Sequence, residues 1–369
     1  MDTPVPGRRI RSMGVAPGVI PPGPLNAITD VAGVRVGQVT LHAEPSTRTG
    51  VTAILPHGGN LFRDRVPAGF AVANGHGKVA GSTQLEELGE IETPIVLVNT
   101  LSVGRAMEAV VDWTLAQPGN GDVRSVNAVV AETNDGELND IRARGLSRED
   151  VLAAIGAAAE GPVAEGCVGA GTGTTAFDWK AGIGTASRRL PPSLGGWTVG
   201  VLTQANHGGV LQVDGLPVGR AVGRHALRGA LGGAEPLGSI ILVVATDAPL
   251  SDRNLRRLAV RANMGVARTG ASFSNGSGDY AIAFSTHPEV RRTPERRRGV
   301  ATCADLGNDA MSPLFLAAIE AAEEAVYNAL AAAVPTESLN PVRRRRVRYD
   351  AITEADLAAA RRRLDGGGR

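Results

Sequence analysis

The chain has 369 residues, enough for a large buried core organised as one big domain or two ordinary ones. An apolar content of 43% places it among globular proteins and excludes disorder. No apolar run reaches the roughly 18 residues of a membrane span, and a formal charge of +1 supplies no global pull toward nucleic acid.

Met1 to Met13 carries Arg8, Arg9 and Arg11 without an apolar segment, so no secretory signal is read there. Cys167 and Cys303 stand far apart, with no Cys-x-x-Cys spacing, which argues against a disulfide scaffold or a zinc site. A cytoplasmic protein is expected. The 48 glycines and few aromatics (3 Trp, 3 Tyr, 6 Phe) shift the core onto Val, Ile, Leu and Ala, with many close backbone approaches.

In chain order, residues 1–24 are rich in Pro and Gly and read as an irregular arm. Strands are predicted over 33–40, 50–55, 69–73, 95–99 and 125–131. Between the last two, Val103, Met107, Val110, Val111 and Leu115 recur at helical spacing. Ser147 with Asp150 forms a capping box for an Ala-rich helix to about Ala159. Further strands are predicted over 198–204, 211–213, 239–245 and 280–285. One helix starts at Ser251; another is launched by Ser312 as N-cap with Pro313 behind it and runs to about Val334. Alternating strands and helices argue for an α/β fold or a layered α-β-β-α sandwich, and periodicity does not choose between them. Beyond residue 340, Arg343–Arg346, Arg348 and Arg361–Arg363 read as a solvated or partner-docking extension, without the aromatic platform of a single-strand nucleic-acid site.

Five polar residues sit at the mouths of predicted strands, each with a glycine within four positions: Glu132, Asn206, Ser239 after Gly238, and Ser277 with Asp279. Any one of them alone is an ordinary turn or loop-end residue. Their order along the chain adds more. The runs 28–37 (ITDVAGVRVG), 169–175 (GAGTGTT), 180–185 (KAGIGT), 238–250 (GSIILVVATDAPL) and 313–330 (PLF through NAL) resemble those of the L-aminopeptidase D-amidase/D-esterase family, peptidase family S58, which includes the β-peptidyl aminopeptidases. The resemblance spans roughly residues 25–335.

It implies a four-layer α-β-β-α sandwich like that of N-terminal-nucleophile hydrolases, with a different strand connectivity. It implies one catalytic domain over 25–340, cut by the chain itself between Gly238 and Ser239; the basic extension over 341–369 lies outside the resemblance. The expected activity is hydrolysis of N-terminal residues from short peptides, amides or esters, with no cofactor and no metal. The expected assembly is a homotetramer of αβ heterodimers, with no nucleic-acid or membrane partner.

The chemistry suits these residue types. A serine hydroxyl is a weak nucleophile without a base. The α-amine freed by cleavage is such a base, with an unperturbed pKa of about 7.7–8.0. By resemblance Asn206 would donate to the oxyanion, Ser277 would bond the nucleophile or its amine, and Glu132 and Asp279 would face that amine or the substrate ammonium. The type member carries tyrosine two residues after the acid, where this chain has Asn134, so Asn134 is expected to line the substrate site.

Competing readings are weaker. Gly169–Gly173 lacks the full G-x-G-x-x-G fingerprint, and the six histidines show no paired metal-ligand spacing. Ornithine acetyltransferases and nylon-oligomer hydrolases use threonine where this chain has serine. A non-catalytic oligomeric scaffold would leave the chain uncut.

Overall fold

A computed structural model describes residues 8–225 and 238–366 of the chain. The extreme ends of the predicted arm and extension, 1–7 and 367–369, lie outside the described residues.

Two sheets carry the fold. The first contains β1 (Arg35–Ala43), β2 (Thr47–Leu55), β4 (Val79–Ala80), β6 (Ile95–Asn99) and β7 (Val129–Thr133), in the order β1-β2-β6-β7-β4. The second contains β3 (Val66–Gly75), β5 (Glu90–Ile91), β10 (Ile183–Arg189), β11 (Thr198–Asn206), β12 (Ser239–Thr246) and β13 (Gly278–Ser285), in the order β10-β11-β12-β13-β3-β5. Two ribbons complete the strands, β8 (Thr175–Ala176) with β9 (Trp179–Lys180) and β14 (Thr336–Asn340) with β15 (Arg345–Tyr349). The helices are α1 (Ser82–Glu87), α2 (Val103–Leu115), α3 (Arg148–Gly156), α4 (Val218–Val222), α5 (Asp252–Arg268), α6 (Pro294–Arg297), α7 (Ser312–Ala331) and α8 (Glu354–Gly366).

The layering follows from side-chain alternation. Along β12, Ile241, Val243 and Ala245 pack against Ile54, Leu97 and Ala131 of the first sheet, while Ile240, Leu242 and Val244 pack against α5 and α7. On the far side, Val96, Val98 and Val130 turn outward onto Ala106, Val110 and Ile155 of α2 and α3. The order is therefore helices, sheet, sheet, helices. Strands buried on both faces need continuous apolar sequence, which is why β12 reads SIILVVAT without polar alternation. Among the described residues no helix is long and apolar enough to cross a membrane.

Several sequence-based expectations differ from the structure. Residues 211–213 make only an isolated bridge from Val213 to Leu216, because Asp214 and Gly215 turn the chain at once. β10 is not predicted from its composition, yet it pairs with β11 along its whole length. Its Arg188 is fully buried and bonded to Glu320 (3.1 Å) and Glu324 (2.8 Å) of α7, the pairing a buried charge requires. Helix α7 begins at Ser312 with Met311 as its N-cap, so the Ser312 hydroxyl makes no cap bond.

The basic tail is not a free extension. Arg343, Arg346 and Arg348 are paired with Glu137, Glu337 and Asp350. Behind them Ile352, Leu357 and Ala360 are buried in the core cluster to which α7 also contributes. In the arm, Ile10–Met13 forms one 3₁₀ turn whose Ile10 and Met13 join the same core.

Candidate active site

Three neighbouring strand ends of the second sheet meet at one place. Ser239, first residue of β12, stands opposite Asn206, last residue of β11, and is in parallel register with Gly278 of β13. Ser239 shares the face of Ile241, directed at the first sheet, and is 5% exposed. Its Oγ donates to the Gly238 carbonyl oxygen (2.7 Å) and accepts from the Gly278 N–H (3.2 Å). The hydroxyl is thus held against the peptide bond that precedes it.

Gly238 is demanded by space. A Cβ there would lie 2.7 Å from the His207 Cα and 2.9 Å from the Asn206 carbonyl oxygen, closer than real side chains approach.

Asn206 is fixed at both ends of its amide. Its Nδ2 donates to the Asn134 carbonyl (3.0 Å), and its Oδ1 accepts from the Thr175 N–H (3.1 Å). The first contact comes across the sheet interface from the loop after β7, the second from the glycine-rich connector. That connector is pinned by Lys180, fully buried, whose Nζ donates to the carbonyls of Gly171 (3.2 Å), Thr174 (2.8 Å) and Ala181 (2.5 Å). Burial lowers the Lys180 pKa. The Thr175 amide is engaged with Asn206 and is not presented to a phosphate.

Ser277 does not bond the Ser239 hydroxyl, which is one of the two roles the resemblance implied. Its Oγ donates to Asp279 Oδ1 (2.6 Å). The other oxygen, Asp279 Oδ2, is buried without a hydrogen-bond partner. Burial raises the Asp279 pKa to about 6, against the opposing influence of Ser277 and of the Ile240 backbone N–H. A buried carboxylate with one orphaned oxygen is suited to receive a cation.

Glu132, the penultimate residue of β7 in the first sheet, is buried. Its Oε1 accepts from the Lys78 backbone N–H (3.2 Å) and pairs with Lys78 Nζ (3.0 Å). The turn carrying Lys78 is tied to the strand end of β13, since the His76 N–H donates to the Ser277 carbonyl (3.1 Å). At Gly77 a Cβ would lie 3.1 Å from Glu132 Oε1 and 3.5 Å from the Tyr280 ring. Burial raises the Tyr280 pKa, helped by the charges of Glu132 and Asp279. Glu132, Asp279, Ser277 and the strand end bearing Ser239 therefore share one neighbourhood.

Asn134 is exposed at its rim, and its Oδ1 accepts from the Gly136 N–H (2.9 Å). His207, next to Asn206, is buried with both ring nitrogens unpartnered and edge-on to Phe177. Burial alone drops its pKa to about 3, so the ring is neutral. Lys78, Thr175 and Tyr280 are the residues that sequence reasoning missed. Lys78 is 54 positions from Glu132, and no local motif links them.

An α-β-β-α sandwich with serine at the head of a central strand, an asparagine across the rung and a buried carboxylate nearby defines an N-terminal-nucleophile type of hydrolase. The model of peptidase family S58 matches residues 26–343. The chain is 42% identical over 359 residues to the β-peptidyl aminopeptidase BapA of Sphingosinicella microcystinivorans, covering 90% of this chain and 88% of that one. A β-aminopeptidase structure from Burkholderia sp. superposes with a TM-score of 0.86 at 42% identity, over 98% of this chain and 99% of the other. The L-aminopeptidase D-Ala-esterase/amidase of Ochrobactrum anthropi, described as a prototype for the serine aminopeptidases with a variant of the Ntn hydrolase fold, gives 0.85 at 37% identity over 97% and 99%. The chain belongs to peptidase family S58. It is a serine-type aminopeptidase of the N-terminal-nucleophile fold.

Proposed function

We propose that Ser239 cuts the chain before itself and that its freed α-amine then serves as the base for hydrolysis of N-terminal β-aminoacyl residues from short peptides. The observation that carries this reading is the Ser239 hydroxyl, 2.7 Å from the carbonyl oxygen of Gly238 in a site where only glycine fits.

In self-cleavage Oγ attacks the Gly238 carbonyl carbon, the C–N bond breaks, and the hydroxyl proton ends on the released amine. Water then hydrolyses the ester, leaving a Gly238 carboxylate and a free Ser239. The same hydroxyl next attacks the substrate carbonyl, with the neutral amine accepting its proton. Asn206, fixed across the rung, supplies the amide N–H toward the oxyanion. Ser277 holds Asp279 by one oxygen, leaving the other to the ammonium form of the freed amine. Glu132 takes the substrate ammonium, and Asn134 stands at the mouth.

The β-aminoacyl preference is supported by the names of two relatives over 40% identical. The eight-residue ladder of β11 with β12 supports a cleaved pair that stays together, since each strand keeps its neighbour after the cut. Assembly of such pairs into a tetramer belongs to the same proposal. So does residence in the cytoplasm, which suits two unpaired cysteines, Cys167 and Cys303.

Denaturing gels with N-terminal sequencing test the cut: fragments 1–238 and 239–369 are expected, the second beginning Ser-Ile-Ile-Leu. An active enzyme that remains one polypeptide overturns the mechanism.

A further inference from the structure

Glu132 is paired within the protein. Lys78 Nζ stands 3.0 Å from Glu132 Oε1, where a substrate ammonium has to bind. The carboxylate is buried, whereas the Lys78 side chain is half exposed and is free to swing. A substrate that brings only an ammonium places two cations on one carboxylate, which is unfavourable at close range. A substrate that brings an ammonium and a carboxylate together restores balance: its ammonium lies on Glu132, its carboxylate on Lys78, and the charges alternate.

The spacing narrows the chemistry. Two protein groups one hydrogen bond apart match an ammonium and a carboxylate borne on a single carbon, the head of an α-amino acid. For that head to belong to a β-aminoacyl residue, one methylene must separate its carbon from the scissile carbonyl. The residue that satisfies both conditions is aspartate linked through its side-chain carbonyl.

We infer that the Glu132–Lys78 pair makes β-aspartyl (isoaspartyl) peptides substrates of this site, with Lys78 the residue that selects them. The inference rests on the β-aminoacyl hydrolase reading above. The reaction is ordinary hydrolysis: Ser239 takes the acyl group as an ester while the β-amide C–N bond breaks and the shortened peptide leaves as its protonated amine, and water then releases free aspartate.

The test compares the p-nitroanilides of β-alanine and of L-aspartate linked at its β-carbonyl, on processed wild-type enzyme and on Lys78→Met and Lys78→Arg. The wild type is expected to cleave both. Lys78→Met is expected to lower kcat/KM for the β-aspartyl anilide roughly tenfold, mainly through KM, as loss of a charged hydrogen bond does. The same change should raise kcat/KM for the β-alanyl anilide by freeing Glu132, and Lys78→Arg should retain β-aspartyl turnover. A parallel fall for both anilides in Lys78→Met overturns the inference, because a merely structural lysine would behave so. Wild-type cleavage of β-alanyl but not β-aspartyl anilide overturns it too, leaving the hydrolase reading intact. Cleavage of neither overturns both.

Discussion

Asn206 and Ser239 occupy one rung of an antiparallel ladder, the last residue of β11 facing the first of β12. Both point at the opposing sheet, so the amide and the hydroxyl are placed by strand register and not by loop conformation. A one-residue slip of either strand would turn its side chain to the helical face.

Ser239→Ala is expected to remain a single full-length chain with no measurable amidase activity, because both the attacking oxygen and the amine are lost as functional groups. Intact-mass measurement after prolonged incubation checks the first point, and anilide turnover the second. Fragmentation of this variant at the same bond would place the nucleophile elsewhere.

Gly238→Ala is expected to slow self-cleavage at least about tenfold, since a sub-3 Å contact with His207 and Asn206 backbone displaces the bond from the hydroxyl. A time course on denaturing gels reads this directly. Normal processing speed would show that the local backbone shifts at no cost.

Asn206→Ala is expected to reduce kcat by about 100- to 1,000-fold, the range for loss of one oxyanion donor, with a smaller effect on KM. Steady-state kinetics on material that has already been processed separates this from slower maturation. An unchanged kcat would return Asn206 to the structural role that its bonds to Asn134 and Thr175 already show.

Asp279 is neutral below about 6 and charged above it. The charged form stabilises the ammonium of the freed amine and so raises the pH at which that amine becomes a usable base. Asp279→Asn is therefore expected to shift the acid limb of kcat/KM to lower pH, alongside any loss of rate. A profile that moves to higher pH contradicts this assignment.

Asp135, beside the loop that holds Asn206, is buried, and burial raises its pKa to about 7 from 3.8. The folded chain then binds this proton more tightly than the unfolded one, so stability falls as pH rises from about 4 to about 7. Asp135→Asn is expected to flatten that decline, as followed by urea midpoints at several pH values. An unaltered slope would mean that Asp135 ionises normally in the fold.

Much of the fold was legible because buried strands and capped helices announce themselves locally. β6 is bounded as its apolar run predicts, and α3 opens on the Ser147–Asp150 box. β10 was hidden because Gly184, Ser187 and two arginines carry no strand preference; its pairing with β11 and the carboxylates of α7 make it a strand. The basic hairpin of β14 and β15 was hidden for the same kind of reason: its arginines look solvated until the distant Glu137 is brought beside Arg343.

By itself the amino-acid order determined the candidate nucleophile, the glycine before it and the polar residues at the strand mouths, because these occur together in a fixed order along the chain. Only tertiary structure decided what those groups do to one another. Ser277 turned to Asp279, one oxygen of Asp279 was left unpaired, and Lys78 came to rest on Glu132. Charge pairing and burial are properties of distances in space, and separation along a chain does not encode them.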